Sequence, residues 1–210
     1  MTKEQIANSI NEFFKEYDIY NYRDNVSHRM DEEETIEEIA NGLIDINKAK
    51  EMLDRLNTFK VKAKDSECYE EAKELEKITN NINNYIENNK LVILKVEPNE
   101  LPYEKEIIND LKSLQKEVDG LIEMIDIDNN ICLVCNEEGK LLNMDLNRVV
   151  GNDIIAGTFF ISRFNEAGDL VSLTKEQIEK YKEKYNKKSI NEVDEKLVNM
   201  GYIIGGKNIY

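Results

Sequence analysis

Apolar residues recur every three to four positions through most of the first 90 residues, then switch to short alternating or continuous runs between Leu91 and Tyr185. That change of period predicts a helical N-terminal region followed by a compact mixed domain. From about Lys3 to Tyr17, the residues Ile6, Ile10, Phe13, Phe14 and Tyr17 make one stripe. Asp31 with Glu34 three residues on predicts a capping box for a second helix, which Gly42 is placed to end. Asp45 predicts the cap of a third, with Ala49, Met52, Leu53, Leu56 and Phe59 as its stripe. A further helix from near Ser66 to about Asn88 carries Cys68, Ala72, Leu75, Ile78, Ile82, Tyr85 and Ile86. That near-heptad spacing fits a coiled-coil seam or an antiparallel bundle, and the bundle is the favoured reading.

In the second region Leu91 to Val96 reads as a buried strand, with Tyr103 to Ile107 as its antiparallel partner. A short helix follows, with Asp110 as cap, Leu111, Leu114 and Val118 as stripe, and Gly120 as stop. Leu121 to Ile127 and Ile131 to Val134 flank the turn Asp128-Asn129-Asn130 and predict a hairpin. Ala156 to Phe164 and Leu170 to Leu173 predict another. Thr174 and Gln177 predict a boxed cap for a helix bearing Ile178, Tyr181 and Tyr185. Ser189 and Glu192 repeat that signature before Val193, Leu197 and Met200, with Gly201 as stop and Tyr202 to Ile204 as a last edge strand. The expected class is α+β: a helical region over 1–90, an α+β domain over 91–188 with a mainly antiparallel, β-grasp-like sheet, and a C-terminal helix and short strand over 189–210.

Charge narrows the function classes. The net charge is −15, with 21 acids and 13 bases in residues 1–90 and 22 and 15 thereafter. Such a surface repels nucleic acid and favours a basic or nucleic-acid-binding protein as partner. No run approaches the roughly 18 apolar residues of a membrane span, and the N-terminus lacks an apolar signal core, so a cytoplasmic protein of a bacterial host cell is expected. Three widely spread cysteines argue against a disulfide framework.

Candidate chemistry is sparse, and no catalytic constellation, metal set or cofactor motif emerges. His28 is the only histidine, so a histidine-based triad would have to pass through it. Cys132 and Cys135 make a C-x-x-C, but on a strand they point to opposite faces and lack partners for a tetrahedral site. Asp126 to Asn130 lacks the glycine and terminal glutamate of a calcium loop and reads as turn chemistry. No Gly-Lys-Ser/Thr follows any glycine cluster. Asn147 and Arg148 are the best binding candidates, since an amide and a planar fork can hold a carboxylate or phosphate; the alternative is a local turn bond and a neighbouring acid. Arg163 and Tyr103 are further polar anchors for a small ligand. Asp31, Glu32, Glu33, Glu34, Glu37 and Glu38 form the densest acidic run, either a docking face for a basic partner or acids favoured at a helix start.

One pattern is specific. It comprises Leu121-Ile122-Glu123, then Ile131-Cys132-Leu133-Val134-Cys135-Asn136-Glu137-Glu138-Gly139-Lys140, Leu146-Asn147-Arg148, Ile155-Ala156-Gly157-Thr158, and Leu173-Thr174-Lys175-Glu176-Gln177. Over about residues 91–185 this resembles the bacterial, phage and plasmid family defined by domain of unknown function 3846. The resemblance carries no established activity. It implies a phage or mobile-element setting, where accessory proteins counter host defence. The leading expectation is a non-enzymatic acidic interaction protein, such as an inhibitor of a host defence nuclease of anti-restriction or anti-CRISPR type. A nucleotide-signal binder comes next, then an enzyme using carboxylates and a metal. The helical region lies outside the resemblance, so a specialised task can reside there.

Overall fold

The computed structural model describes residues 1–16 and 36–186. In chain order these form α1 (Lys3–Glu16), α2 (Ile36–Leu43), α3 (Ile46–Asp65), α4 (Tyr69–Asn89), β1 (Lys90–Val96), β2 (Tyr103–Ile108), α5 (Leu111–Val118), β3 (Ile122–Asp128), β4 (Ile131–Asn136), β5 (Leu146–Val150), β6 (Asp153–Ala156), β7 (Phe159–Phe164), β8 (Leu170–Val171) and α6 (Lys175–Lys184). The α+β class expected from the change of period is what the chain adopts. Two compact units result: Met1–Lys90 with Ile107–Asp110, and Leu91–Glu106 with Leu111–Tyr210. Tyr17, His28, the capping pair Asp31 and Glu34, the Ser189 box and the Tyr202 to Ile204 strand lie outside the described residues.

The helical unit is built by the stripes that the sequence displays. Ile6, Ile10 and Phe13 of α1 share a core with Ile39 and Leu43 of α2, Ala49 and Leu56 of α3, and the α4 residues Leu75, Ile78, Ile82, Tyr85 and Ile86. Each fully buried aliphatic or aromatic side chain of this kind contributes about 1.5–3 kcal/mol. Asp45 caps α3 as expected, its Oδ1 accepting from the Asn47 and Lys48 amides at 3.0 and 3.3 Å. Gly42 does not end α2. It sits in the last helical turn, where an added Cβ would come 3.3 Å from the Met52 terminal methyl, so its smallness lets α3 approach.

A tight turn joins α3 to α4. The Cys68 amide donates to the Ala63 carbonyl at 2.9 Å and the Glu67 amide to Lys64 at 3.2 Å, the paired bonds of a Schellman ending. Its left-handed position is Glu67, at φ 61°, where a Cβ is disfavoured. Glu67→Gly should therefore raise stability by about 0.5–1 kcal/mol in urea denaturation. A loss of stability would show that the glutamate side chain holds the turn.

In the second unit the main sheet has the order β2-β1-β7-β4-β3, with β8 also pairing β7, and β5 with β6 forms a separate two-stranded sheet. The pairs β1–β7, β4–β7, β3–β4 and β7–β8 are antiparallel. One face of the sheet, with Leu94, Val96, Leu133, Cys135, Phe159 and Ile161, packs on Ile178, Tyr181 and Tyr185 from α6 and its end. On the opposite face α5 lies against β3, β4 and β7. Covering both faces explains why all six residues of β4 are buried and why the first five, Ile131 to Cys135, read as a continuous apolar run.

The boxed cap of α6 forms as the spacing predicts, with the Gln177 amide donating to the Thr174 hydroxyl and the Gln177 side chain accepting from the Thr174 amide. Two local expectations fail. Leu111 is 58% exposed, so α5 buries only Leu114 and Val118 of its predicted stripe. Ala156 belongs to β6 rather than to the strand ending at Phe164, because Gly157, at φ 81°, separates them.

Candidate functional site

Asn147 and Arg148 lie in β5, at a bulge. Leu146 pairs with Ala156 and Val149 with Ile154, so two residues oppose the single Ile155. A bulge re-aims side chains, which explains how two consecutive polar residues both turn inward instead of alternating. Asn147 is 2% exposed, and its Nδ2 donates to the carbonyls of Val96 at 2.9 Å and Gly157 at 2.8 Å. Arg148 is 6% exposed: Nη1 donates to Asn147 Oδ1 at 2.9 Å, Nη2 to the Glu100 carbonyl at 2.6 Å, and Nε to the Tyr185 carbonyl at 3.4 Å. Burial pushes the guanidinium pKa down, and its acceptors here are carbonyl oxygens rather than carboxylates. The pair is thus occupied in fastening the main chain, and carbonyl contacts stand where the alternative reading put a local turn bond and an acid partner.

The same holds for the other half of the specific pattern. Asn136 Nδ2 donates to the Val118 and Asp119 carbonyls at 3.2 and 2.9 Å, while its Oδ1 accepts from the Glu138 amide at 2.8 Å. Gly120 closes α5 as expected, its amide donating to the Gln115 carbonyl at 3.1 Å after the left-handed Asp119, at φ 57°, and its smallness also serves this contact, since an added Cβ would collide with Asn136 Nδ2. The residues that make the chain recognisable are therefore those that pin its backbone.

Arg163 and Tyr103 do not join Arg148. Arg163 Nε donates to the Ser172 carbonyl at 2.7 Å beside β8. Tyr103 stands by a charged cluster on the α5 side: Lys95 Nζ is 2.9 Å and Lys105 Nζ 2.6 Å from Glu117, and Lys95 is 3.6 Å from Glu97. Burial, with the Glu97 carboxylate behind it, raises the Tyr103 phenol pKa against the Lys95 charge. The cluster is internally neutralised. Among the described residues, no group of three His, Cys, Asp or Glu could hold a metal ion, and no helix is long and apolar enough to cross a membrane.

The two C-x-x-C cysteines are core residues. Cys132 and Cys135 are buried on opposite faces of β4, and burial pushes both thiols up to about 11, far from a reactive thiolate. Tyr185 stacks on Tyr181 at 6.4 Å and meets Phe159 edge-on at 5.6 Å. Its buried hydroxyl has no hydrogen-bond partner among the described residues, and burial pushes it up to about 12. Tyr185→Phe should leave stability unchanged or raise it by up to about 1 kcal/mol, since an orphaned hydroxyl is a cost. Destabilisation by more than that in a denaturant titration would mean the hydroxyl has a partner.

Of the acidic run, Glu37 and Glu38 open α2, while Asp31, Glu32, Glu33 and Glu34 lie outside the described residues. Glu38 borders what sequence reading missed: a groove of about 570 Å³ in the helical unit. Its floor is Ile10, Phe14, Ile39, Met52, Leu56 and Phe59, with Phe14 and Phe59 edge-to-face at 6.1 Å. Lys48, Arg55 and Lys62 of α3 lie along it, with Glu51 and Thr58 between them. A usable signal existed in the sequence. The α3 stripe is wider than one helical contact can bury, and Phe14, Met52 and Phe59 remain only partly covered.

No curated protein and no solved structure matches the chain. Residues 90–186, the segment from β1 through α6, match the family model described as Domain of unknown function (DUF3846).

Proposed function

We propose that this chain is a non-enzymatic interaction protein that takes hold of a protein partner in the groove of its helical unit. The observation that carries the reading is the groove itself. Its apolar floor is open to solvent, bordered by charged residues, and confined to positions between Ile10 and Lys62, outside the family-matched segment. Concave apolar sites rimmed by a few polar groups are the usual place for recognition. The most distinctive polar residues of the second unit, by contrast, are consumed by main-chain contacts. A net charge of −15 disfavours nucleic acid as the ligand and keeps a protein partner in view. The family resemblance favours a host defence protein, a nuclease among them, as that partner.

Thr58 lines the groove and is exposed, so a photo-crosslinking phenylalanine analogue at position 58 would face an occupant. In the native bacterial host, the expected product is an adduct to one continuous segment of one protein, abolished by Met52→Glu. Adducts scattered over many proteins, or equal yield from a control site at Lys180, would contradict the reading.

A further inference from the structure

Lys48, Arg55 and Lys62 are spaced seven residues apart on α3, and all three are exposed. Seven residues return a helix to nearly the same azimuth and advance it about 10.5 Å, so the three bases form a straight row about 21 Å long. Beside that row run Met52, Leu56 and Phe59, the apolar floor contributed by the same helix. None of the three bases makes an ion pair among the described residues, on a chain whose 43 acids outnumber its 28 bases. Resting on the groove reading above, we propose that the occupant is an acidic amphipathic helix of the partner protein, with its apolar seam on the floor and its acids facing this row.

The repeat decides between occupants. A compact anion or a small nucleotide would need bases converging on one point. Charges set at two-turn intervals along an apolar stripe match a rod with the same period, as in heptad pairing, where flanking charges choose the partner. Glu51 borders the groove between Lys48 and Arg55, so a single basic residue within the occupant's acidic row would be accepted there. At physiological ionic strength the Debye length is about 8 Å, so the charges that line the groove outweigh those farther away.

The test uses the full chain and two synthetic 21-residue helical peptides with the same leucine seam. One carries glutamates at heptad spacing, and the other carries lysines at those positions. Binding is read by fluorescence anisotropy and by the NMR shift of the Met52 methyl. The proposal expects the acidic peptide to bind at least tenfold more tightly, through Met52, with the preference fading in high salt. The triple variant Lys48→Glu, Arg55→Glu, Lys62→Glu, folded by circular dichroism, should reverse the preference. Equal binding of both peptides through Met52 would overturn the charge assignment and leave the groove reading standing. Peptides that leave the Met52 methyl unmoved would overturn both. Binding only after Asp31, Glu32, Glu33 and Glu34 are replaced by their amides would identify those acids as the row's own counter-charge and overturn the proposal.

Discussion

Arg148→Ala is expected to unfold the family domain more readily than any other single truncation considered. The guanidinium satisfies the carbonyls of Glu100, Tyr185 and Asn147 and the Asn147 amide oxygen from one buried position. Hydrogen bonds to a charged group are worth about 1.5–3 kcal/mol each, and a buried acceptor left bare costs about 1–3. Relief of the desolvated charge offsets part of this, leaving a net loss of about 3 kcal/mol. For a domain of roughly 100 residues, that lowers Tm by about 12 °C or more. Arg148→Lys keeps the charge but lacks the fork that reaches β5, the Glu100 loop and the end of α6 together. It should lose about 2 kcal/mol by the same hydrogen-bond argument. An alanine variant within 1 kcal/mol of the parent in urea denaturation would remove Arg148 from the fold's supports and return it to the list of binding residues.

Glu117→Gln should be the next most damaging change. Glu117 and Lys95 are nearly buried, at 8% and 11% side-chain exposure, and Lys105 closes the cluster. Replacing the carboxylate leaves two ammonium groups with Glu97 as the nearest remaining acid to Lys95. Removing one partner of a fully buried pair typically costs about 3–5 kcal/mol, and the one-third exposure of Lys105 together with the amide oxygen that Gln retains reduces this to about 2 kcal/mol. The double variant Glu117→Met, Lys95→Met should recover part of that loss, and additive losses would show that the two groups are not coupled.

The cluster also sets a pH window. Burial raises the Glu117 pKa, but the hydrogen bonds and charges of Lys105 and Lys95 outweigh it, so the net shift is below 4.5. Its stabilisation is complete above the unfolded value and is lost as pH falls through the native one. Burial lowers the Lys95 pKa, yet Glu117 more than reverses this, placing it above 10.5. That contribution is complete below the unfolded value and disappears as pH rises through the native one. Stability of the parent should therefore be greater than that of Glu117→Gln across the neutral range, with the two converging in acid. A constant gap down to pH 2 would contradict the assignment.

Much of this fold is legible in the sequence because its elements obey single periods. The stripe Leu75, Ile78, Ile82, Tyr85 and Ile86 and the box at Thr174 and Gln177 need only local geometry, and both form as the spacing dictates. The β5–β6 hairpin is not legible, since a bulge at Asn147 and Arg148 breaks the alternation that marks a strand. The bulge also explains why those two residues look like an exposed ligand pair in one dimension and prove to be buried clamps in three. Gly120 is only half legible for a similar reason: it closes α5 as its position predicts, but its small size also serves Asn136, a contact made across 16 residues of chain. The groove escapes because α1 and α2 show ordinary stripes and the extra width of the α3 stripe gains its meaning only when the three pack. Only their packing leaves Phe14, Met52 and Phe59 partly uncovered.

The most direct test of the claim that recognition belongs to the helical groove is the affinity of the crosslinked partner segment for three forms of the full chain. These are the parent, Thr58→Trp, which fills the groove from an exposed position, and Arg163→Ala, which alters a polar anchor of the family domain. Calorimetric titration should give at least a tenfold weaker Kd for Thr58→Trp and an unchanged Kd for Arg163→Ala. An unchanged Kd for Thr58→Trp, with loss of binding in Arg163→Ala, would place recognition on the family domain and contradict the account.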